Sequence, residues 1–189
     1  MRSVKIRGEE FKFCCAHFVS YKGFRERLHG HNYTVEVELS GPMSPVDGYV
    51  IDFGVVKKNL REICKQLNER VIIPVNSETL DVKIVTKVLK NCEGTSKFTT
   101  CATQEIENSQ NSYEQVEIIV SGNAFFSIPK SDCALLPIKF STAEELSTYI
   151  SLLLEKALRD DISERQIRTL TVRVFERPTQ AASYTCDLH

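Results

Sequence analysis

The chain of 189 residues carries almost no net charge: 24 Lys and Arg stand against 25 Asp and Glu, a formal −1. That lack removes the broad basic field through which nucleic-acid and anionic-membrane binders attract their partners. Long apolar runs are also missing; none approaches the ~20 residues needed to cross a bilayer. Residues 1–11 are charged and hold no apolar core of the kind that marks a secretory signal. The seven cysteines, at positions 14, 15, 64, 92, 101, 133 and 186, are odd in number and contain no Cys-x-x-Cys pair. A disulfide framework and a cysteine-based zinc knuckle are thereby disfavoured. Together the absences predict a reduced, cytoplasmic protein with neither nucleic acid nor membrane as partner.

Apolar residues make up 42% of the chain and only six are proline, which argues against disorder. A chain of this length buries roughly 70% of its unfolded surface, so a core needs no metal or disulfide to hold it. No repeat or linker divides it. The pattern predicts one α+β domain over 1–189, with a central insertion at about 77–130. Period-two alternation places Phe11, Phe13, Cys15 and His17 on one face of a first strand, and Tyr33, Val35, Val37 and Leu39 inward on a second. A helix follows Asp52, a plausible N-cap, with Val56, Leu60, Ile63 and Leu67 as its buried stripe. A second helix opens on the capping box Thr142-Ala143-Glu144-Glu145 and carries Leu146, Ile150, Leu153 and Ala157 inward. Leu170, Val172 and Val174 mark another strand, and a short one spans about 181–186. Within the insertion, residues 82–88 fit strand or helix, 116–120 and 124–126 look extended, and 99–115 read as a mobile loop.

Four histidines occur, and three of them fall within fifteen positions: His17, His29 and His31. His29 and His31 share the parity of Tyr33, and His17 that of Phe11 and Phe13. If the two strands pair as a hairpin, three imidazoles converge on one face. Such a set suits zinc, for which three protein ligands leave a fourth position for water or substrate. Cys15 has the same parity, as a fourth ligand or as a core residue.

The words around these histidines are more specific than their spacing. Cys15-Ala16-His17-Phe18, then Leu28-His29-Gly30-His31-Asn32-Tyr33, then Gly48-Tyr49-Val50-Ile51-Asp52-Phe53, occur in that order. In this the chain resembles the 6-pyruvoyltetrahydropterin synthase family, which includes the 6-carboxytetrahydropterin synthases. The resemblance covers about 9–74 and 136–186. It implies a catalytic Zn²⁺ on His17, His29 and His31. It also implies the tunnelling fold: two β-hairpins forming an antiparallel sheet, two helices on one face, and a homo-oligomer of trimers usually paired into hexamers.

Two positions depart from that family. Its members use a cysteine as general base just before His-Gly-His, where this chain has Tyr21-Lys22-Gly23-Phe24-Arg25-Glu26-Arg27-Leu28 and only Glu26 to accept a proton. A glutamate there resembles the variant group that turns 7,8-dihydroneopterin triphosphate into 6-hydroxymethyl-7,8-dihydropterin for folate synthesis. The family's Asp-His pair after the first helix falls on Asn68-Glu69; Glu69 either substitutes in catalysis or closes the helix with Arg70. Glu176 continues the inward parity of Val172 and Val174, and a buried carboxylate there requires a partner. The family sets a glutamate at this place against the pterin, where two oxygens accept from ring N3–H and the 2-amino group. Thr142 and Glu144 match a segment that lines the family's pterin pocket. Lys22, Arg25 and Arg27 are candidates for the triphosphate, and Cys133 is a weaker candidate nucleophile.

The expected activity is a zinc-dependent pterin lyase acting on a small dihydropterin, with Glu26 as base and Glu176 as ring anchor. A carboxylate, with an unperturbed pKa of ~4.3, suits a hydroxyl acidified by zinc better than it suits a C–H proton. The alternatives are 6-pyruvoyl- or 6-carboxytetrahydropterin formation, or a non-catalytic zinc- and pterin-binding protein.

Overall fold

The computed structural model describes residues 1–88, 112–122 and 124–188. The elements in chain order are β1 (Arg2–His17), β2 (Ser20–Tyr21), β3 (Phe24–Arg25), β4 (His29–Gly41), α1 (Phe53–Leu67), β5 (Arg70–Pro74), β6 (Leu80–Val88), β7 (Ser112–Val120), β8 (Ala124–Pro129), β9 (Cys133–Leu136), α2 (Ala143–Ala157), α3 (Arg159–Arg165), β10 (Thr169–Arg177) and β11 (Gln180–Asp187). The main sheet has six strands in the order β11-β10-β4-β1-β5-β9. Its first four are two antiparallel hairpins, β1–β4 and β10–β11, joined along β4 and β10. The sheet is mixed rather than wholly antiparallel, because β5 pairs parallel with β1 and β9 parallel with β5.

Alternation explains the central strands. Tyr33, Val35, Val37 and Leu39 of β4 and Leu170, Val172 and Val174 of β10 are all fully buried on one face. On β1 the phase changes: Val4 and Ile6 face the core, then Phe11, Phe13, Cys15 and His17 do. Between Arg7 and Lys12 the pairing register with β4 shifts, so an odd number of extra residues (Gly8, Glu9 and Glu10 among them) re-aims every later side chain. The strand therefore begins at Arg2, nine residues before the alternation from Phe11 suggests.

Two helices cover the buried face. Asp52 caps α1, its Oδ1 accepting from Gly54 N at 2.7 Å, and Val56, Leu60, Ile63 and Leu67 are buried as the spacing predicts. Thr142 caps α2 by accepting from Glu145 N at 3.4 Å. The stripe of α2 runs Leu146, Ile150 and Leu154 into the cap residue Leu158, all buried; the expected Leu153 is half-buried and packs against the same core, whereas Ala157 is exposed. The short α3 is a third helix beyond the two expected, closed by Gln166 in the left-handed region.

The insertion forms a separate three-stranded antiparallel sheet, β6-β7-β8. Residues 82–88 are strand, and Ser112–Gln115 belong to β7 instead of a loop; the rest of the 99–115 expectation lies outside the described residues. This sheet has its own core, in which Val116, Ile118 and Val120 pack with Phe18, Ile73 and Cys133 of the main domain. Among the described residues no helix is long and apolar enough to cross a membrane.

Candidate metal centre and active-site cleft

Strand pairing builds the histidine cluster. Cross-strand register sets His17 opposite His29 and Cys15 opposite His31, and His29 and His31 share a face because they are two residues apart. The ring centroids lie 4.6 Å apart for His17–His29, 4.9 Å for His29–His31 and 5.2 Å for His17–His31. One nitrogen from each ring lies within 4.8 Å of the others. Tetrahedral zinc with nitrogens at about 2.0–2.1 Å would hold them about 3.4 Å apart, so the three rings would close toward one another on binding.

Two tautomers are fixed by the main chain. His17 Nδ1–H donates to Ser141 O at 2.7 Å, and His29 Nδ1–H donates to Arg27 O at 2.8 Å, so each ring keeps its Nε2 lone pair for a metal. Burial lowers the pKa of His17, and the neighbouring His29 and His31 add to this, while the Ser141 carbonyl and Glu26 oppose it. The ring is thus biased to the neutral form that ligates. The hydroxyl of Tyr33, which burial keeps protonated, donates to His17 Nε2 at 3.4 Å, a long contact that a metal bound at this nitrogen would replace. The donor set therefore fits a divalent metal with imidazole preference.

Around this cluster opens a cleft of about 370 Å³, lined by the three histidines together with Glu26, Thr142, Glu144 and Glu176 among others. Glu26 comes from the loop between β1 and β4. Its main-chain N–H donates to Val19 O at 2.9 Å, and its carboxylate Oε2 accepts from Val19 N at 3.0 Å. Both ends of the residue thus close the β2–β3 hairpin, and Glu26 lines the cleft. Glu176 sits one residue past the last β10–β4 pair, Phe175 with Thr34, at a register shift. Its side chain is 34% exposed, so the expected buried carboxylate is only half-buried, and its partner is His31, with Oε1 3.4 Å from Nε2.

Other candidates lie elsewhere. Glu69 is exposed at the α1–β5 turn with a positive φ of 58°, donates its N–H to Cys14 O at 2.6 Å, and does not line the cleft. Its neighbour Asn68 accepts from Cys14 N at 2.8 Å, so the pair fastens the turn to β1. Lys22, Arg25 and Arg27 are exposed and outside the lining; Arg25 instead donates to Glu26 O at 2.9 Å. Cys15 is buried in the main core, with burial pushing its thiol up to about 12. Cys133 is buried in the second core and raised by that burial to about 11, which leaves it unreactive as a nucleophile. The sequence reading missed Ser141, whose carbonyl orients His17 while its hydroxyl donates to Phe18 O at 2.7 Å. It also missed Gln180, Ala181 and Ala182, which form one wall. A residue just ahead of a helix N-cap, and the start of an edge strand, carry no chemical signal of their own.

The model of the 6-pyruvoyl tetrahydropterin synthase family matches residues 6–187. A putative 6-carboxy-5,6,7,8-tetrahydropterin synthase of Methanocaldococcus jannaschii is 29% identical over 173 residues, 92% of this chain and 88% of that protein. The 6-pyruvoyl tetrahydropterin synthase of Plasmodium vivax superposes with a TM-score of 0.79 at 33% identity, covering 99% of this chain and 98% of the other. That protein has also been solved with a glutamate, described as a catalytic residue, changed to alanine and to cysteine. A dihydroneopterin monophosphate aldolase of Pyrococcus furiosus is 32% identical over 90 residues, 46% of this chain and 76% of the aldolase.

Proposed function

This chain belongs to the 6-pyruvoyl tetrahydropterin synthase family, and from that we propose a zinc-dependent lyase that converts 7,8-dihydroneopterin triphosphate to 6-hydroxymethyl-7,8-dihydropterin. The observation that carries the reading is a carboxylate, Glu26, at the rim of a three-histidine cluster, in a cleft with no cysteine among its described lining residues. The catalytic glutamate of the Plasmodium vivax protein and the aldolase name of the Pyrococcus furiosus relative support it.

Zinc held by His17, His29 and His31 would acidify the side-chain hydroxyls of the substrate. Glu26 takes the proton of the 2′-hydroxyl; C2′ becomes a carbonyl and the C1′–C2′ bond breaks. The electron pair passes into the conjugated pterin through C1′ and is then quenched by a proton there. The products are 6-hydroxymethyl-7,8-dihydropterin and a two-carbon aldehyde that retains the triphosphate. Glu176 turns from His31 to accept from ring N3–H and the 2-amino group, and Thr142 and Glu144 at the start of α2 line the same cleft. Glu69 has no part in this step within one chain. We also propose a cytoplasmic homo-oligomer, trimer or hexamer, which light scattering of the purified protein tests.

A second reading, 6-carboxytetrahydropterin formation, is favoured by the name of the archaeal relative that spans most of the chain. Mass spectrometry of the products from dihydroneopterin triphosphate separates the two. Tight pterin binding without turnover would instead mark a binding protein.

A further inference from the structure

The β2–β3 hairpin that carries Glu26 belongs to neither large sheet. It spans two strand pairs, Ser20 with Arg25 and Tyr21 with Phe24, around a turn at Gly23 with φ 86°. A two-stranded unit this small does not hold its own shape in water. What holds it comes largely from the insertion. Thr79, at the entry to β6, donates its hydroxyl to Ser20, with Oγ at 3.0 Å and O at 3.3 Å. Thr79 O in turn accepts from Ser121 N, in the β7–β8 turn, at 3.0 Å. Phe126 of β8 stacks on buried Phe18 with centroids 5.2 Å apart, and the Arg25 guanidinium lies over the Phe126 ring at 5.9 Å. Phe18 follows His17 directly, and its carbonyl accepts from Ser141, the residue that orients His17.

We infer that the β6-β7-β8 sheet is the positioning element of the active site, fixing Glu26 against the histidine cluster through Thr79 and Phe126. The inference rests on Glu26 acting as the base. Neither Thr79 nor Phe126 lines the cleft, so each acts only through the hairpin. Freeing the hairpin would let the carboxylate move by an ångström or so, and displacements of that size cost catalysis far more than binding.

The test is single-turnover kinetics with enzyme in excess, on Thr79→Val, Thr79→Ser and Phe126→Ala, each alone and combined with Glu26→Ala. Metal content, pterin affinity and thermal melting are measured alongside. Thr79→Val keeps side-chain shape and loses only the donor, so it remains informative should Phe126→Ala fail to fold. We expect Thr79→Val and Phe126→Ala each to lower the rate about tenfold, with metal content and pterin affinity unchanged and Thr79→Ser near wild type. On the Glu26→Ala background neither should lower the residual rate further, because the group being positioned is gone. Wild-type rates in both variants, or the same tenfold loss on the Glu26→Ala background, would overturn the positioning role. A Glu26→Ala enzyme with wild-type rate overturns the base assignment itself, and with it this inference.

Discussion

In the proposed reaction, Glu26 separates holding the substrate from transforming it. The carboxylate is bound by the Val19 amide, while the metal cluster and Glu176 are built from other strands. Glu26→Ala is therefore expected to keep metal and pterin affinity while losing roughly 10²–10⁴-fold in turnover, the range for a positioned general base. Glu26→Cys places a thiol at the same point; chromatography should show less 6-hydroxymethyl-7,8-dihydropterin and relatively more 6-pyruvoyltetrahydropterin. His29→Ala or His31→Ala should abolish metal binding and turnover, read by elemental analysis, with circular dichroism close to wild type. Glu176 touches His31 at 3.4 Å, so it has two possible duties that one substitution distinguishes. Glu176→Gln removes one acceptor and should weaken neopterin binding by about 2 kcal/mol in calorimetry. If its duty is to orient His31, the loss appears instead as a 10–100-fold weaker metal affinity.

At the scale of elements, the histidine cluster was legible because strand parity is a strict rule. His17, His29 and His31 could be assigned to one face without coordinates, and the register confirms it. The same rule failed ahead of Phe11, since the register shift after Arg7 breaks the alternation that makes a strand visible. Arg70–Pro74 and Cys133–Leu136 are short runs whose parallel pairing depends on residues far apart in sequence, and no local pattern announces them. Glu36, of opposite parity to the buried Val35 and Val37, faces away from the helices. It is nonetheless only 5% exposed, because Arg173, Lys5 and Arg7 close over it at 3.0, 3.4 and 3.9 Å. The helix caps were readable from residue type alone, and they provide a control. Asp52→Ala should cost about 1 kcal/mol of stability in urea unfolding, with turnover unchanged because Asp52 is outside the cleft. Thr142→Ala, at the longer 3.4 Å bond, should cost about 0.5 kcal/mol and also raise KM.

For the whole molecule, the main core joins both helices to the sheet and reaches Tyr33 and Cys15, adjacent to the metal cluster, without depending on it. Chelation should therefore inactivate the enzyme while leaving cooperative unfolding intact, the stability falling only by the linkage term that bound metal contributes. Loss of secondary structure on chelation would contradict that separation of core and site. The second core ties the insertion to Phe18, the residue after His17, and so packs the central segment against the proposed site. Its role was not legible in sequence because Thr79 and Phe126 act across 59 and 108 residues of chain, on partners with no distinctive chemistry of their own.

The proposed reaction is defined by the bond that breaks, C1′–C2′ of the substrate side chain. Zinc-loaded protein incubated with 7,8-dihydroneopterin triphosphate, its products resolved by chromatography and mass spectrometry, tests that directly. The account predicts 6-hydroxymethyl-7,8-dihydropterin as the dominant pterin, with one equivalent of a two-carbon aldehyde bearing the triphosphate. A dominant product that keeps all three side-chain carbons, with inorganic triphosphate released, would contradict it.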